Sequence, residues 1–193
     1  AIRKQVGSDF HLQMKISATE YNNALLPSEE KGNTIEDSIQ VCKWLEQDGV
    51  DAIHVSAGSS FPHPRNPAGP FPLEELIKTY DTLISSGEKT FRNFVLFRTW
   101  PVNKLFQSRW DRATGKTIEG INLPDARAIS QAVSVPVICT GGFQTASVIR
   151  KAISDGSCDA VSIARPLIAN NNLVKMFAQG LDRAPEPCTY CNK

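Results

Sequence analysis

The feature that most constrains the fold of this chain is a repeated order of strand-like segments and helical ones. Strand patterns occur at residues 10–17, 50–58, 135–140 and 159–164. Apolar residues at helical spacing occur at residues 34–48, 125–133, 146–154 and 167–180. Because strands that alternate with helices are joined by crossovers and pair in parallel, the sequence predicts an α/β protein built on a parallel sheet.

The two faces of the predicted strands carry different side chains. One face is apolar, with Leu12, Met14, Ile16, Ile53, Val55, Val161 and Ile163. The other carries small or polar residues near the strand ends, namely Lys15, Ser17, His54, Ser56, Ser162 and Ala164. An open sheet covered by helices on both sides needs apolar residues on both faces, whereas the mouth of a barrel accepts polar ones. The sequence therefore predicts a fold of the (β/α)8 TIM-barrel type.

A long insertion at residues 59–121 follows the second predicted strand. It is too long for an ordinary connection between a strand and its helix, and its start at 59–67 is too rich in proline for either regular structure. A helical pattern at 73–86 and an apolar stretch at 94–100 lie within it. Because it leaves the carboxyl end of a strand, we expect it to lie over the barrel mouth. Its aromatic residues either shape a substrate pocket or pack the insertion together: Phe61, Phe71, Trp100, Phe106 and Trp110.

Composition excludes several classes of protein. With 21 basic and 20 acidic residues the formal net charge is +1, so neither a nucleic acid nor a membrane is an expected partner. No apolar run approaches the roughly 18 residues of a spanning helix. The five cysteines are an odd number, three of them lie in apolar stretches, and the sequence starts without a secretion signal. We therefore expect a cytoplasmic protein without a disulfide framework, whose partner is a small-molecule substrate.

The strongest chemical signal is the pair of glycines that ends the third predicted strand. Gly141 and Gly142 follow Thr140 and precede a helix, so backbone amides there can approach an anion without hindrance from side chains. Taken alone, the pair is also typical of a tight turn. Ala164 and Arg165 end the next strand and add a small residue and a fixed cation. The two strand ends together indicate the phosphate site typical of the last two strands of a barrel.

Three further observations on the sequence carry a resemblance to a known family. The stretches VPVICTGGF at 135–143, DAVSIARPLIA at 159–169 and PCTYCN at 187–192 follow one another at characteristic intervals. Together they resemble the Old Yellow Enzyme family of NADH:flavin oxidoreductases, in particular its 2,4-dienoyl-CoA reductase-like FMN domain. The segments 13–21 and 49–58 resemble the fifth and sixth barrel strands of that family. The resemblance implies that residues 1–193 are the C-terminal portion of one FMN-binding barrel, covering about strands five to eight.

FMN bound at the barrel mouth is the cofactor that this resemblance implies. The residues implied to hold it are Lys15, Thr140, Gly141, Gly142, Ala164 and Arg165. Lys15 stands where the family usually has an arginine beside the flavin ring, so the resemblance implies a catalytic cation that keeps the charge and lacks the planar fork. The implied activity is transfer of hydride from NADH or NADPH through FMN to an electron-poor alkene. The sequence leaves the substrate and the choice of nicotinamide open.

Other parts of the family's site have no counterpart among these residues. In the family, the histidine pair that binds substrate and the proton-donating tyrosine precede the position of Ala1. His11 and His54 fall elsewhere and are typical of packed or hydrogen-bonded structural histidines. We therefore expect an incomplete fragment, with weak turnover or none unless it associates with the missing half-barrel or forms a homo-oligomer.

Cys188 and Cys191 form a Cys-x-x-Cys motif near the end of the sequence. Larger members of the family ligate an iron-sulfur cluster with four cysteines that begin with this spacing. Two thiolates cannot complete such a cluster or a structural zinc site, so we expect no metal within these residues. The expectation reverses if further cysteines follow Lys193 in the natural protein.

Two alternatives to a flavoenzyme remain open at this point. In one, Lys15 forms a Schiff base with a carbonyl substrate in a phosphate-binding barrel aldolase. In the other, the chain is a half-barrel module that binds a phosphate-bearing ligand or a partner protein and catalyses nothing. The first predicts that borohydride traps substrate on Lys15, and the second predicts ligand binding without consumption of NADH.

Overall fold

The structure is a computed structural model that describes residues 1–21, 32–59, 63–66, 68–113 and 118–192. In chain order its elements are α1 (Ile2–Val6), β1 (Gln13–Tyr21), α2 (Ile35–Gln47), β2 (Ala52–Ser59), α3 (Leu73–Leu83), a 3-10 turn (Ile84–Ser86), α4 (Glu88–Arg98), α5 (Val102–Ala113), α6 (Leu123–Ser130), β3 (Val137–Thr140), α7 (Ala146–Ser154), β4 (Ala160–Ser162), α8 (Arg165–Ala169) and α9 (Leu173–Ala178). The longest helix described, α2, has 13 residues. Over these ranges, no helix has both the length and the apolar character that crossing a bilayer requires.

The four strands form one parallel sheet in the order β1-β2-β3-β4. In one row across the sheet, Lys15 pairs with His54, His54 with Ile138, and Ile138 with Ala160. The order of the strands in space is therefore their order in the chain, and a helix lies in each connection. The α/β class and the parallel sheet predicted from the sequence are confirmed.

The main hydrophobic core lies between one face of the sheet and the helices α2, α6 and α7. Its buried residues are Ala18, Cys42, Ile53, Val55, Ala126, Ile129, Val137, Cys139, Phe143, Ala152 and Cys158. Burial raises the pKa of the Cys42 thiol to about 11 and that of the Cys139 thiol to about 12, so both stay protonated at neutral pH. The three core cysteines are free thiols that pack as small apolar side chains, as the sequence predicts.

The opposite face of the sheet carries Ile138 and otherwise polar or small side chains, all of them half-buried or exposed. They are Lys15, Ser17, His54, Ser56, Ile138, Thr140, Ala160 and Ser162. His54 and Thr140 join β2 to β3 on this face, with 2.5 Å between Nε2 and Oγ1. Burial, and after it the charge of Lys15, lowers the pKa of His54, so this histidine is neutral at pH 7. The two faces of the sheet therefore differ in the way that the sequence predicts.

The described part of the insertion contains the helices α3, α4 and α5, which have a hydrophobic core of their own. That core consists of Phe71, Leu76, Tyr80, Phe97, Phe106 and Trp110. The rings of Phe71 and Trp110 lie 5.1 Å apart between centroids, and the indole N–H of Trp110 donates to the carbonyl of Gly69 at 2.8 Å. Phe71, Phe106 and Trp110 therefore pack the insertion together, while Trp100 is 75% exposed. Phe61 lies outside the described residues.

The structure corrects the predicted elements in the C-terminal part of the chain. The single helix predicted at 167–180 is wrong, because α8 and α9 are separate short helices. Three consecutive asparagines at 170–172 divide them, and the Asn170 side chain donates to the carbonyl of Glu186 at 2.9 Å. Asparagine side chains compete with the backbone hydrogen bonds of a helix, which explains the break.

Two other elements differ from the sequence pattern. β1 continues to Tyr21, four residues beyond the predicted strand at 10–17. Residues 102–113 form the amphipathic helix α5, which the pattern did not reveal, and the apolar stretch at 94–100 forms most of the last two turns of α4.

Replacement of Thr34 by alanine tests the start of α2. The Thr34 hydroxyl accepts from the backbone amide of Asp37 at 3.4 Å, and the Asp37 carboxylate accepts from the Thr34 amide at 2.9 Å. Loss of this capping box costs about 1 kcal/mol, so we expect the Ser38 amide to exchange with solvent roughly fivefold faster. Thr82→Ala, which removes a hydroxyl bonded to the Thr79 carbonyl within α3, is the matched control and leaves that rate unchanged. Equal exchange of the Ser38 amide in both variants would contradict the cap.

Candidate functional site

A cavity of about 200 Å³ lies at the carboxyl ends of the strands. Five of the six predicted site residues line it: Lys15, Thr140, Gly141, Gly142 and Arg165. The sixth, Ala164, is not among the lining residues, and its carbonyl accepts backbone amides at the start of α8. The parallel sheet thus brings together motifs that are up to 150 positions apart in the chain. The chemical role of each residue remains a prediction.

The lining of this cavity carries positive charge and no carboxylate. Lys15, Arg65 and Arg165 are its three cations, and none of its other lining residues is acidic. Within the described ranges, none of the three forms a salt bridge with an aspartate or glutamate. A concave site with this lining attracts anions, because no carboxylate in the lining offsets the positive electrostatic potential of its three cations.

The turn after β3 brings backbone close to backbone, which explains its two glycines. The Gly120 amide donates to the carbonyl of Gly141 at 2.6 Å. A Cβ at Gly141 would lie 3.3 Å from the backbone nitrogens of Ile121 and Asn122. At Gly142 φ is +68°, a conformation that L side chains rarely adopt. The turn therefore presents main-chain groups to the cavity with no side chain between them.

Arg165 enters the cavity directly after β4. Its Nη1 donates to the carbonyl of Ala68 at 2.8 Å and to Oδ1 of Asn192 at 2.6 Å. The guanidinium carbon lies 5.4 Å from the centre of the Tyr190 ring, which supports the cation on its face. Among the described residues no acceptor bonds Nε or Nη2, so these donors stay available to a bound anion.

Residues 188–192, here called the tail, join both strand ends that the sequence singles out. The Tyr190 hydroxyl donates to the carbonyl of Gly142, and burial raises the pKa of this phenol to about 12. Asn192 contacts Arg165 with its oxygen and donates from Nδ2 to the carbonyl of Pro70 at 3.2 Å. Sequence reasoning missed these supporting residues, because the Cys-x-x-Cys motif drew attention to the thiols alone.

The two cysteines of the tail form no disulfide with each other. Cys188 is half-buried and Cys191 is exposed, and Sγ of Cys188 accepts from the Tyr190 amide at 3.4 Å. The described part of the chain contains no group of three or more histidine, cysteine, aspartate or glutamate side chains placed to hold a metal ion.

Residues 63–66, here called the rim turn, form one side of the cavity. The Asn66 amide donates to the carbonyl of His63 at 2.9 Å, and Asn66 Nδ2 donates to the carbonyl of Ala57, near the end of β2, at 3.1 Å. Arg65 and Asn66 line the cavity, although the sequence did not single them out. The signal was weak, because a proline-rich segment without periodicity does not show which of its residues point inward.

The fold and the cavity together define a class: a parallel α/β sheet with an anion-attracting site at the carboxyl ends of its strands. No known family profile matches the sequence. The chain is 31% identical over 166 residues to a 4,4'-dithiodibutanoate disulfide reductase of Rhodococcus erythropolis, a match covering 84% of this chain and 36% of that protein. It is 25% identical over 191 residues to an NADH oxidase of Thermoanaerobacter brockii, covering 99% and 21%.

A solved structure shares the fold. A complex of 2-naphthoyl-CoA reductase with 2-naphthoyl-CoA matches with a TM-score of 0.63 at 21% identity, over 100% of this chain and 21% of that one. The chain therefore spans about a fifth to a third of the length of these proteins. The relatives are oxidoreductases, in agreement with the class that the sequence predicts.

Alanine at Gly142 tests the close approach of backbone at the diglycine turn. A Cβ there would lie 2.9 Å from Cγ2 of Ile118, in addition to the cost of positive φ. Gly156 is the matched control, because its φ is +70° and a Cβ would meet nothing within 4 Å. We expect Gly156→Ala to cost about 1 kcal/mol of unfolding free energy and Gly142→Ala at least about 1 kcal/mol more, measured by urea unfolding. Equal losses would show that the turn has room for a side chain.

Proposed function

We propose that this chain is the C-terminal half of an FMN-binding (β/α)8 barrel of the Old Yellow Enzyme type. The natural protein would transfer hydride from NADH or NADPH through FMN to an electron-poor alkene. The observation that carries the proposal is the meeting of the diglycine turn, Arg165 and Lys15 around one cavity without carboxylates. NADH is the substrate named for one relative, the oxidase of Thermoanaerobacter brockii, which supports a nicotinamide as the electron donor.

The order and the faces of the strands support the half-barrel. Parallel strands in chain order are expected of a barrel segment, whereas a doubly wound sheet reverses its order at a switch point. The polar, incompletely buried face would turn toward the barrel interior, and the apolar face already carries its helices. Within the described residues β1 and β4 each pair on one side only, so the remaining strands would close the barrel by pairing with these edges.

The residues of the cavity fit an FMN phosphate and the chain attached to it. Ligand pockets usually enclose about 300–1,000 Å³, so 200 Å³ is the volume of part of a site. The amides of the diglycine turn and the available N–H groups of Arg165 would hold the phosphate. Lys15, on the other edge strand, would place a positive charge beside the ring, where negative charge develops. FMN would supply the hydride transfer itself.

Arg165→Ala is expected to weaken FMN binding in the full natural protein. Loss of a charge-assisted contact costs about 1.5–3 kcal/mol, which is a roughly 10- to 150-fold rise in the dissociation constant measured by flavin fluorescence. Arg150→Ala, on the outer helix α7, removes an arginine whose ion pair in the described structure is with exposed Asp182, and it serves as the control. Unchanged FMN affinity in the Arg165 variant would remove the anchoring role.

Substitutions of Lys15 separate the flavoenzyme from the alternative aldolase. Lys15, the third residue of β1, is exposed and lines the cavity without an ion pair among the described residues, an arrangement that also suits a Schiff-base lysine. In the flavoenzyme, Lys15→Met slows FMN-dependent NADH oxidation about tenfold or more, while Lys15→Arg keeps most of the rate because the charge remains. A Schiff-base enzyme would lose all activity in both variants, and borohydride would trap its carbonyl substrate on Lys15. FMN binding without NADH oxidation by the natural protein would favour the non-catalytic module.

A further inference from the structure

The side chain of the third cation of the cavity, Arg65, is held in place by Tyr21. Its Nη1 donates to the hydroxyl of Tyr21 at 2.5 Å, its Nη2 donates to the carbonyl of Ile121 at 3.4 Å, and its guanidinium carbon lies 5.1 Å from the centre of the Tyr21 ring. In the described structure, Nε and the second N–H of each terminal nitrogen remain for a ligand. The Tyr21 ring in turn stacks on His63, with 4.7 Å between centroids and 13° between planes. Arg65 nevertheless remains exposed and lines the cavity. Its orientation is therefore fixed before any ligand arrives, which lowers the entropy cost of binding one.

The partners of Arg65 leave its positive charge uncompensated. Burial is the main cause that raises the pKa of Tyr21, so this residue accepts from Arg65 as a neutral phenol. Nδ1 of His63 accepts from the Arg65 amide at 3.2 Å, and burial lowers the pKa of this histidine, so it too is neutral at pH 7. The carboxylate of Asp125 acts on Tyr21 from a distance but forms no salt bridge with Arg65 in the described structure.

The cavity has one cation more than the proposed cofactor requires. In the proposed function, on which this inference rests, Arg165 and the diglycine amides serve the phosphate and Lys15 serves the ring. Arg65 is oriented through Tyr21 at the end of β1, whereas Arg165 follows β4 at the other edge of the sheet. The two guanidinium groups thus belong to different segments of the chain, the rim turn and the start of α8, and the cofactor offers no third anion for Arg65.

We propose that Arg65 binds the carboxylate of an anionic substrate. A guanidinium presents parallel N–H groups that match the two oxygens of a carboxylate. This ion pair is stronger when no other negative charge lies near the bound carboxylate. The substrate class is therefore an electron-poor alkene that carries a carboxylate. Tyr21 and His63 are positioning residues, because they orient the guanidinium and do not themselves bind the substrate.

The test uses the full natural protein with FMN bound and two probes of equal shape, cinnamate and cinnamamide. Binding of each is followed by the change in absorbance of the bound flavin. We expect the native protein to bind cinnamate at least tenfold more tightly than cinnamamide. Arg65→Gln is expected to abolish this preference and leave the affinities for cinnamamide and FMN unchanged, while Arg65→Lys keeps part of the preference.

Two variants complete the design. Arg112→Gln removes an exposed arginine of α5 whose hydrogen bonds are local, and it is expected to change neither affinity. Tyr21→Phe removes only the hydroxyl that orients Arg65, so it is expected to lower the affinity for cinnamate about threefold and to spare cinnamamide. This smaller change also tests the inference if Arg65→Gln fails to fold.

Three outcomes would overturn the inference. The first is equal affinity of the native protein for cinnamate and cinnamamide. The second is a variant Arg65→Gln whose affinities for the two probes fall by the same factor. The third is a loss of FMN affinity in Arg65→Gln, which would assign Arg65 to the cofactor instead of the substrate. Failure of the native protein to bind FMN at all is a distinct result, since it would refute the proposed function together with this inference.

Discussion

The in-register pairing of β3 with β4 is the constraint on which the rest of the site depends. Thr140 lies opposite Ser162. The diglycine turn follows Thr140 directly and Arg165 follows Ser162 by three residues, so the two lie next to each other at the same edge of the sheet. A shift of one residue would turn every side chain of a strand to the other face and would bury the polar row beneath the helices. The apolar core under Val137 and Cys139 therefore fixes the position of the cation relative to the turn.

The helices of the insertion support the cavity from outside, and the aromatic residues of their core are not among its lining residues. Trp110 belongs to the core of the three inserted helices and holds the carbonyl of Gly69, while the neighbouring carbonyl of Ala68 accepts from Arg165. The packing of the inserted helices therefore helps to position the guanidinium of Arg165, through the adjacent peptide groups of Ala68 and Gly69. The aromatic residues of the insertion serve chiefly to make it a self-contained layer, since an inserted segment without its own core would not hold a fixed position.

Sequence reasoning found the parts of the molecule that local pattern specifies. Strand alternation gave the sheet and its two faces, and glycines next to a strand end marked the turn at Gly141 and Gly142. It missed the contributions of Arg65 and Asn192, because both depend on contacts with residues 44 and 27 positions away in segments without periodicity. It also missed the break at Asn170, where side-chain hydrogen bonding to a distant carbonyl outweighs the apolar spacing on either side.

The tail has a consequence for where this folded unit can be divided. A boundary drawn after α9 would keep all four strands and every core helix, and secondary structure alone would recommend it. Such a cut would nevertheless remove Tyr190, which donates to the Gly142 carbonyl, and Asn192, which accepts a hydrogen bond from the guanidinium of Arg165. The smallest piece of polypeptide that preserves the anion pocket thus extends 14 positions past the last helix, to Asn192.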